Sequence, residues 1–575
     1  MNLLSIEIKK FFKGDVIDDQ DTLLTYSRDA SLLQVMPEVV VFPKNVEDVK
    51  ALVKWVHDNK SLYKDLSITC RSAGTCMAGG AIGDSIIMDF TKYMNTIHDV
   101  KKVDSFNIIP KYPNAHSVCI SGEATVMPGC FYRDFEEATL KEGLLLPCYT
   151  ASKSINAVGG MVGNNSAGEK TLQYGKTEDY IKELKVVLSD GREYVVKPLS
   201  KKELYAKIAQ KDFEGDLYRD IYQLISTNIK TIKEAKPQVS KNSAGYYLWN
   251  VWDEQKEIFD LSKLIVGSQG TLGIVTEITF HLVNIKPANK LVVIFMKDIT
   301  KLGSLVDAIL PFHPESIESY DDATMKLAVK FFPDFLKNKG LRGMIKFMWS
   351  FWPEVFMMVK GFPKLVLLVE FAGENEKTVK NESKKLLSEL KKQGFTFPMR
   401  ITKSKNDADK YWDIRRESFA LLRKHVKDKH TAPFIDDIIV PPQTLPEFLP
   451  KLNLLLNQYP ITYTIAGHAG NGNFHIIPLM DFKDSNTAKI IMELSTKVYD
   501  LVLQYKGSTN GEHNDGIIRT PFLKQMYGEK VYELFAQTKQ IFDPTNFFNP
   551  GKKVALTTPN GIGTKEYIAS HIIHE

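Results

Sequence analysis

Apolar and polar positions along the chain change their period several times, and each change predicts an element. PEVVVFP (37–43) is a continuous apolar run closed by prolines, the pattern of a buried strand. After Asn45, apolar residues return with helical period at Val46, Val49, Leu52, Val53 and Val56. Glu47 and Asp48 occupy the first turn, where negative charge suits the helix dipole. A short strand, LSIT (66–69), leads into RSAGTCMAGGAIGDS (71–85). A strand pair is expected around 117–126 and a helix from Tyr132 to Glu142. KELKVVLSDGREYVV (182–196) reads as a hairpin turning at Asp190-Gly191. VGSQGTLGIVTEITF (266–280) is a glycine cluster feeding an alternating strand. From about Lys286 strands alternate with helices. LVVIFM (291–296) precedes a helix near 300–310, LVLLVEFAG (365–373) precedes a charged helix over 374–393, and the alternation continues to about residue 505.

Composition narrows the class. A chain of 575 residues is too long for one core, so two or three domains are expected. Its 43% hydrophobic and 25% charged content is that of a soluble globular protein. A net charge of +5 over this length points to no nucleic-acid partner. The five cysteines, Cys70, Cys76, Cys119, Cys130 and Cys148, are odd in number and form no C-x-x-C. That argues against a disulfide framework, a zinc ribbon or an iron–sulfur cluster within this chain. A reducing, cytoplasmic setting is the simplest expectation, and MNLLSIEIKKFFK lacks the sustained apolar core of a signal peptide.

No run of about 20 uncharged apolar residues predicts a transmembrane helix. LRGMIKFMWSFWPEVFMMVKGFPK (341–364) mixes Phe, Trp and Met with Arg342, Lys346, Lys360 and Lys364. It reads either as an insertion packed on the protein itself or as a peripheral membrane-surface contact, and Pro353 breaks it as a single helix.

Glycine density carries the first chemical signal. Gly74, Gly79, Gly80 and Gly83 let main-chain N–H groups approach a polyanion and form a nest for phosphate, although such a loop alone is also compatible with a turn that binds nothing. In LPCYTASKSINAVGGMVGNNSAG (146–168), Gly159, Gly160, Gly163 and Gly168 are spaced as no ordinary helix or strand is expected to tolerate. Ser152, Asn164, Asn165 and Ser166 add hydrogen-bonding side chains there. The chain has no G-x-G-x-x-G, which counts against a nicotinamide-type Rossmann domain.

The second signal lies near the C-terminal end, in GHAGNGNFH (467–475) and GEHNDG (511–516). His468, His475, Glu512 and His513 are types that hold a divalent metal and leave a base for proton transfer. Histidines seven apart do not match a helical zinc site, so a structural pair and a metal site both remain open at this point.

Three glycine loops tied to strands over about 200 residues, in this order and wording, resemble the FAD-binding domain of the vanillyl-alcohol oxidase / p-cresol methylhydroxylase superfamily. The resemblance covers PEVVVFPKNVEDV, RSAGT, GGMVGNNSAG, SDGREY, VGSQGTLGIVTEITF and the closing FDPTNFFNPGK (542–552). It implies an α+β protein with a two-subdomain FAD-binding domain of the p-cresol methylhydroxylase type and a mostly antiparallel α+β substrate, or cap, domain. The divisions it implies are an N-terminal segment (1–33), the FAD-binding domain (34–285), the cap domain (286–541) and a C-terminal segment returning to the FAD domain (542–575). It assigns FAD contacts to Arg71, Ser72, Ala73, Gly74, Thr75 and Gly79, then to Ser152, Gly159, Gly160, Asn164, Ser166 and Gly168. Gly270, Ile274, Val275 and Asn549 complete that set. Covalent members often carry histidine where this chain has Thr75, so non-covalent FAD is implied.

Within the superfamily the cap resembles the branch of D-lactate dehydrogenases and glycolate oxidases, whose motifs are G-H-x-G-D-G-N-x-H and E-H-G-x-G. Carried over, His468, His475 and Glu512 are divalent-metal ligands, zinc or manganese, and His513 is the base. Arg415 in YWDIRRESF (411–419) then grips the substrate carboxylate, with Arg416 as its neighbour in an uncertain register. The implied reaction is oxidation of a D-2-hydroxy acid to the 2-keto acid, with hydride passing to flavin N5.

Three departures qualify it. Asn471 replaces the usual Asp. Ile435 and Ile477 stand where dicarboxylate-specific members tend to have lysine and asparagine, which leans toward D-lactate. GEHNDGIIRTPFL looks more like larger members fused to an iron–sulfur region, so a quinone or a separate electron-transfer protein is expected as acceptor. The rivals are a sugar or alditol oxidoreductase of the same fold, a metal-dependent hydrolase, and a non-catalytic FAD-binding component of a larger dehydrogenase.

Overall fold

The computed structural model describes residues 2–110, 115–322, 324–326, 363–425, 429–558 and 560–573, with the side chains of 417–425 excepted. The candidate membrane-surface segment lies outside the described residues except for its last two.

Of the five sheets among the described residues, the three largest carry the fold. The first has four strands in the order Asp15–Ile17, Val39–Phe42, Ile86–Asp89, Ile68–Arg71. Its last three strands are parallel. The helix Val46–Asn59 covers it, capped by the Asn45 side chain, which accepts from the N–H of Glu47 and Asp48, and burying Val49, Leu52, Val53 and Val56. Loop 71–85 joins the neighbouring parallel strands Ile68–Arg71 and Ile86–Asp89. The chain returns here late: the Asn549 N–H donates to Ile68 O, and Phe547 and Phe548 enter the same core.

The second sheet runs Ile97–Ile108, Val118–Val126, Ile274–Asn284, Ile181–Val187, Glu193–Val196, all antiparallel. The hairpin at Asp190-Gly191 forms, with Gly191 at φ +79°. The strand pair expected around 117–126 is instead one nine-residue strand, Val118–Val126, whose outer partner is the largely polar Ile97–Ile108. That partner is an exposed edge strand, so it lacks the apolar alternation that announces a half-buried one.

A second expectation is overturned in the GGMVGNNSAG stretch. Val158–Asn164 is a short α-helix containing Gly159, Gly160 and Gly163, ended by Asn165 in the left-handed region at φ +52°. Close approach explains the first of these glycines: a Cβ on Gly159 would lie 2.6 Å from Pro128 O.

The third sheet is the largest, with seven strands in the order Met399–Ile401, Ala288–Met296, Leu365–Gly373, Ser316–Asp321, Ile465–His468, Asn473–Ile476, Ile438–Ile439. Every pairing in it is antiparallel. Helices Leu302–Ile309, Glu376–Lys392, Leu445–Leu456 and Thr487–Gln504 pack one face through a continuous apolar core. The other face takes helix Lys405–His425 through Tyr411, Trp412 and Ile414. This is the α+β arrangement with a mostly antiparallel cap sheet. Among the described residues no helix is long and apolar enough to cross a membrane, and all five cysteines are free thiols.

Candidate active site

A cavity of about 800 Å³ collects residues from the three glycine loops and from both histidine motifs. Arg71, Ser72, Ala73, Gly74 and Thr75 line it from the first loop. Ser152, Gly159, Gly160, Asn164, Ser166 and Gly168 line it from the second, and Gly270, Ile274 and Val275 from the third. His468, His475, Glu512, His513 and Arg415 close its other end. Gly79 and Asn549 are not among the lining residues. Gly79 packs on Leu33 and Ile517, and the Asn549 side chain donates to Gly80 O and Gln269 O, bracing two loops from behind.

Strand pairing brings the histidines together. Ile465–His468 and Asn473–Ile476 form a tight hairpin, with Ala466 opposite His475 and Gly467 opposite Phe474. Gly472 turns it at φ +74°, and a Cβ there would sit 1.9 Å from Val440 O. Gly472→Ala is therefore expected to cost about 2–3 kcal/mol, from backbone strain plus overpacking. Thermal unfolding of the variant checks this, and an unchanged midpoint would refute it.

Across the hairpin, His468 Nε2 lies 3.4 Å from His475 Nε2 and 3.1 Å from Glu512 Oε1, and His475 Nε2 lies 3.9 Å from Glu512 Oε2. Ligand atoms of a tetrahedral ion with bonds of about 2.0–2.1 Å stand about 3.3 Å apart, so this triangle is of metal-binding size. The donor chemistry, two imidazoles and a carboxylate, suits zinc or manganese.

The surroundings agree. Four buried carboxylates, Glu318, Asp436, Asp437 and Glu512, face three cations, the buried Lys241 and Arg519 and the partly buried Arg415. The carboxylates outnumber these cations by one, so positive charge on the neighbouring histidines or on a bound ion completes the set.

Several of these groups were not legible in the sequence. Asp436 accepts from His475 Nδ1 at 3.2 Å and from the Ile476 N–H at 3.1 Å. Its other oxygen lies 3.0 Å from His513 Nδ1, off the line of a good hydrogen bond. One carboxylate therefore faces Nδ1 of both rings, which leaves His475 Nε2 toward Glu512 and His513 Nε2 for other work. Asp436, His475 and His513 are also close enough to hold an ion, but Asp436 already serves both rings and a backbone amide.

Asp437, at φ +69°, accepts the N–H groups of both Glu512 and His513 at 2.7 Å and the Asn473 side chain at 2.9 Å. Lys241, fully buried, donates to Gly168 O and forms an ion pair with Glu512 Oε1. Arg519 donates to Asp436 O and Asn514 O from beneath.

Electrostatics follows from this crowding. Burial alone would raise the Asp436 and Glu512 carboxyls. The adjacent histidines for Asp436, and Lys241 with His468 for Glu512, outweigh it and hold both below the usual range. Burial alone would lower His513, but Asp437 and Asp436 more than offset it and the ring is pushed up to about 9. A dication among the same carboxylates acts in the opposite direction.

The departures from the family motifs have structural reasons. The Asn471 side chain donates to Ser240 Oγ. Asn514, at φ +67°, donates to Asn164 O and Gly267 O, which pins the Glu512–His513 loop to two of the glycine loops. Asp515 pairs with Lys553 at 2.8 Å and holds the loop from its other side. Ile477 lines the cavity, whereas Ile435 is buried in the cap core and does not. Arg415 points to Glu318 and His468. Arg416, half exposed at the cavity wall, pairs with Glu169 at 2.8 Å and lies over the Trp412 ring.

Residues 37–197 match the family described as FAD binding domain, and residues 285–553 match FAD linked oxidases, C-terminal domain. The chain thus carries an FAD binding domain followed by the C-terminal domain of FAD linked oxidases. It is 26% identical over 558 residues to a D-2-hydroxyglutarate dehydrogenase of Pseudomonas putida, covering 96% of this chain and 51% of the relative. The chain thus spans about half the length of that relative and of its namesake in Escherichia coli. Over nearly full lengths it is 26% identical to the glycolate oxidase component GlcD of Bacillus subtilis (92% of each chain). It is also 26% identical to a D-lactate dehydrogenase of Archaeoglobus fulgidus (90% of this chain, 91% of that one). Among solved structures, p-cresol methylhydroxylase superposes with a TM-score of 0.63 at 16% identity, covering 97% of this chain and 99% of its own. At that identity the likeness is one of fold.

Proposed function

We propose that this protein oxidises a D-2-hydroxy acid, with D-lactate as the favoured substrate, to the 2-keto acid. The observation that carries the reading is the convergence of the three glycine loops with His468, His475, Glu512, His513 and Arg415 on one cavity. When bound, non-covalent FAD supplies the hydride acceptor, and a divalent ion at His468, His475 and Glu512 supplies a Lewis acid for the substrate hydroxyl.

The chain's own residues do the rest. Arg415, an always-charged fork beside the histidines, orients the substrate carboxylate. His513, with Nδ1 facing Asp436 and its backbone held by Asp437, presents Nε2 to take the hydroxyl proton. The buried outer carboxylates keep these side chains in place without reorganisation during the reaction.

Ile477 on the cavity wall and the pairing of Arg416 with Glu169 favour a substrate with a single carboxylate. The names of the dicarboxylate-oxidising relatives favour D-2-hydroxyglutarate instead. We infer a quinone or a separate electron-transfer protein as the acceptor, reached without a covalent flavin link.

Anaerobic mixing of the purified protein with D-lactate, L-lactate, glycolate and D-2-hydroxyglutarate separates the readings. A yellow preparation is expected to lose its flavin band fastest with D-lactate. Fastest bleaching by D-2-hydroxyglutarate would replace the substrate assignment, and a folded but colourless protein would overturn the flavin reading.

A further inference from the structure

Glu318 stands in the middle of the strand Ser316–Asp321, between Ile317 and Ser319, with only 1% of its side chain exposed. A carboxylate buried at the centre of a sheet is costly unless its charge is met, and two groups meet this one. Oε1 accepts from His468 Nδ1 at 2.6 Å, and Oε2 is paired with Arg415 Nη2. Burial by itself would raise the Glu318 carboxyl, but the charges of Arg415 and His468 outweigh it and keep the group below the ordinary glutamate range. The register makes this unavoidable: Ser319 is paired with Gly467, so Glu318 lies beside His468 on the sheet face that helix Lys405–His425 covers.

We propose that Glu318 is a positioning residue that couples the arginine gripping the substrate to the histidine holding the metal. This inference rests on the metal-dependent reading above. By accepting from Nδ1, Glu318 fixes the His468 tautomer with Nε2 toward His475 and Glu512, and it makes that nitrogen a stronger ligand. The same carboxylate is Arg415's counter-ion. A substrate carboxylate that draws on Arg415 releases Glu318 charge to His468. A metal on His468 Nε2 makes the Nδ1–H a stronger donor, draws Glu318 toward that ring and leaves Arg415 freer to bind the substrate carboxylate. Metal affinity and carboxylate binding are therefore linked through one side chain, and the linkage is reciprocal.

The test is a double-mutant cycle on FAD-loaded protein, reading the divalent-metal dissociation constant by competition with a metal buffer, FAD content and metal content. Glu318→Gln is expected to weaken metal binding by about 10–100-fold with FAD retained. Arg415→Met is expected to shift metal affinity in the wild-type background and to have a smaller effect, by about threefold or more, once Glu318 is glutamine. Equal effects of Arg415→Met in both backgrounds overturn the coupling, as does Glu318→Gln protein that binds metal within about twofold of wild type.

Glu318→Asp, which keeps the charge one methylene short, covers the case in which the glutamine variant does not fold. It is expected to bind metal more weakly by about threefold or more, and wild-type affinity in it also overturns the proposal. Wild-type protein that takes up no divalent ion is a separate outcome. It removes the metal reading itself, and the coupling with it.

Discussion

Replacing His513 by alanine is expected to slow reduction of bound flavin by about 10²–10⁴-fold, the usual worth of a positioned general base. His513 is one of two histidines whose Nδ1 faces Asp436, and its own N–H is fixed by Asp437, so the backbone that carries the ring is set before substrate arrives. The glycine loops do not depend on the imidazole. The Glu512–His513 loop is tied to them through the Asn514 side chain and through the Gly516 N–H, which donates to Gln269. FAD content of His513→Ala should therefore equal that of the wild type. Stopped-flow bleaching under anaerobic conditions, normalised to bound FAD, is the measurement. Reduction at the wild-type rate would remove His513 from the role of base.

Stripping divalent metal with a chelator is expected to have an effect of similar size. Lewis-acid activation of a hydroxyl contributes several kcal/mol, which corresponds to a rate loss of about 10³-fold. The flavin should stay bound, because the lining of the glycine loops shares no side chain with the His468–His475–Glu512 triangle. Readdition of zinc or manganese should restore the rate, whereas His475→Ala should show the same loss without rescue. Metal analysis alongside the kinetics checks each arm, and a metal-free preparation that turns over at full rate would contradict the metal role. The distances explain why one ligand matters so much: with His475 gone, only His468 Nε2 and Glu512 remain, and Glu512 Oε1 is already engaged by Lys241.

How far the site can be read from sequence depends on the distance along the chain between partners. Strands and helices with strong periods, such as Val39–Phe42, Val46–Asn59 and Leu365–Gly373, form where the pattern places them. Burial of one face imposes a local repeat, and local repeats survive in a sequence. Ile97–Ile108 escapes such a reading because an edge strand has no face to bury along most of its length. The Val158–Asn164 helix escapes it because glycine reads as a breaker, where the structure uses it to let the backbone approach Pro128. Ile435 stands where dicarboxylate-specific relatives tend to have lysine, but its side chain is buried in the cap core and does not line the cavity.

By itself the sequence determined the glycine loops, the His468–His475 motif and the Glu512–His513 pair, because each is a short stretch whose residue types carry their own chemistry. Only the tertiary structure decided what surrounds them. Glu318 reaches His468 across 150 residues of chain, Asp437 reaches Glu512 across 75, and Lys241 reaches Glu512 across 271. A buried acid or lysine in a strand or loop has no local signature of its partner. Its cost in the interior is met only by a group that folding brings beside it, so its meaning appears only once the sheets are paired.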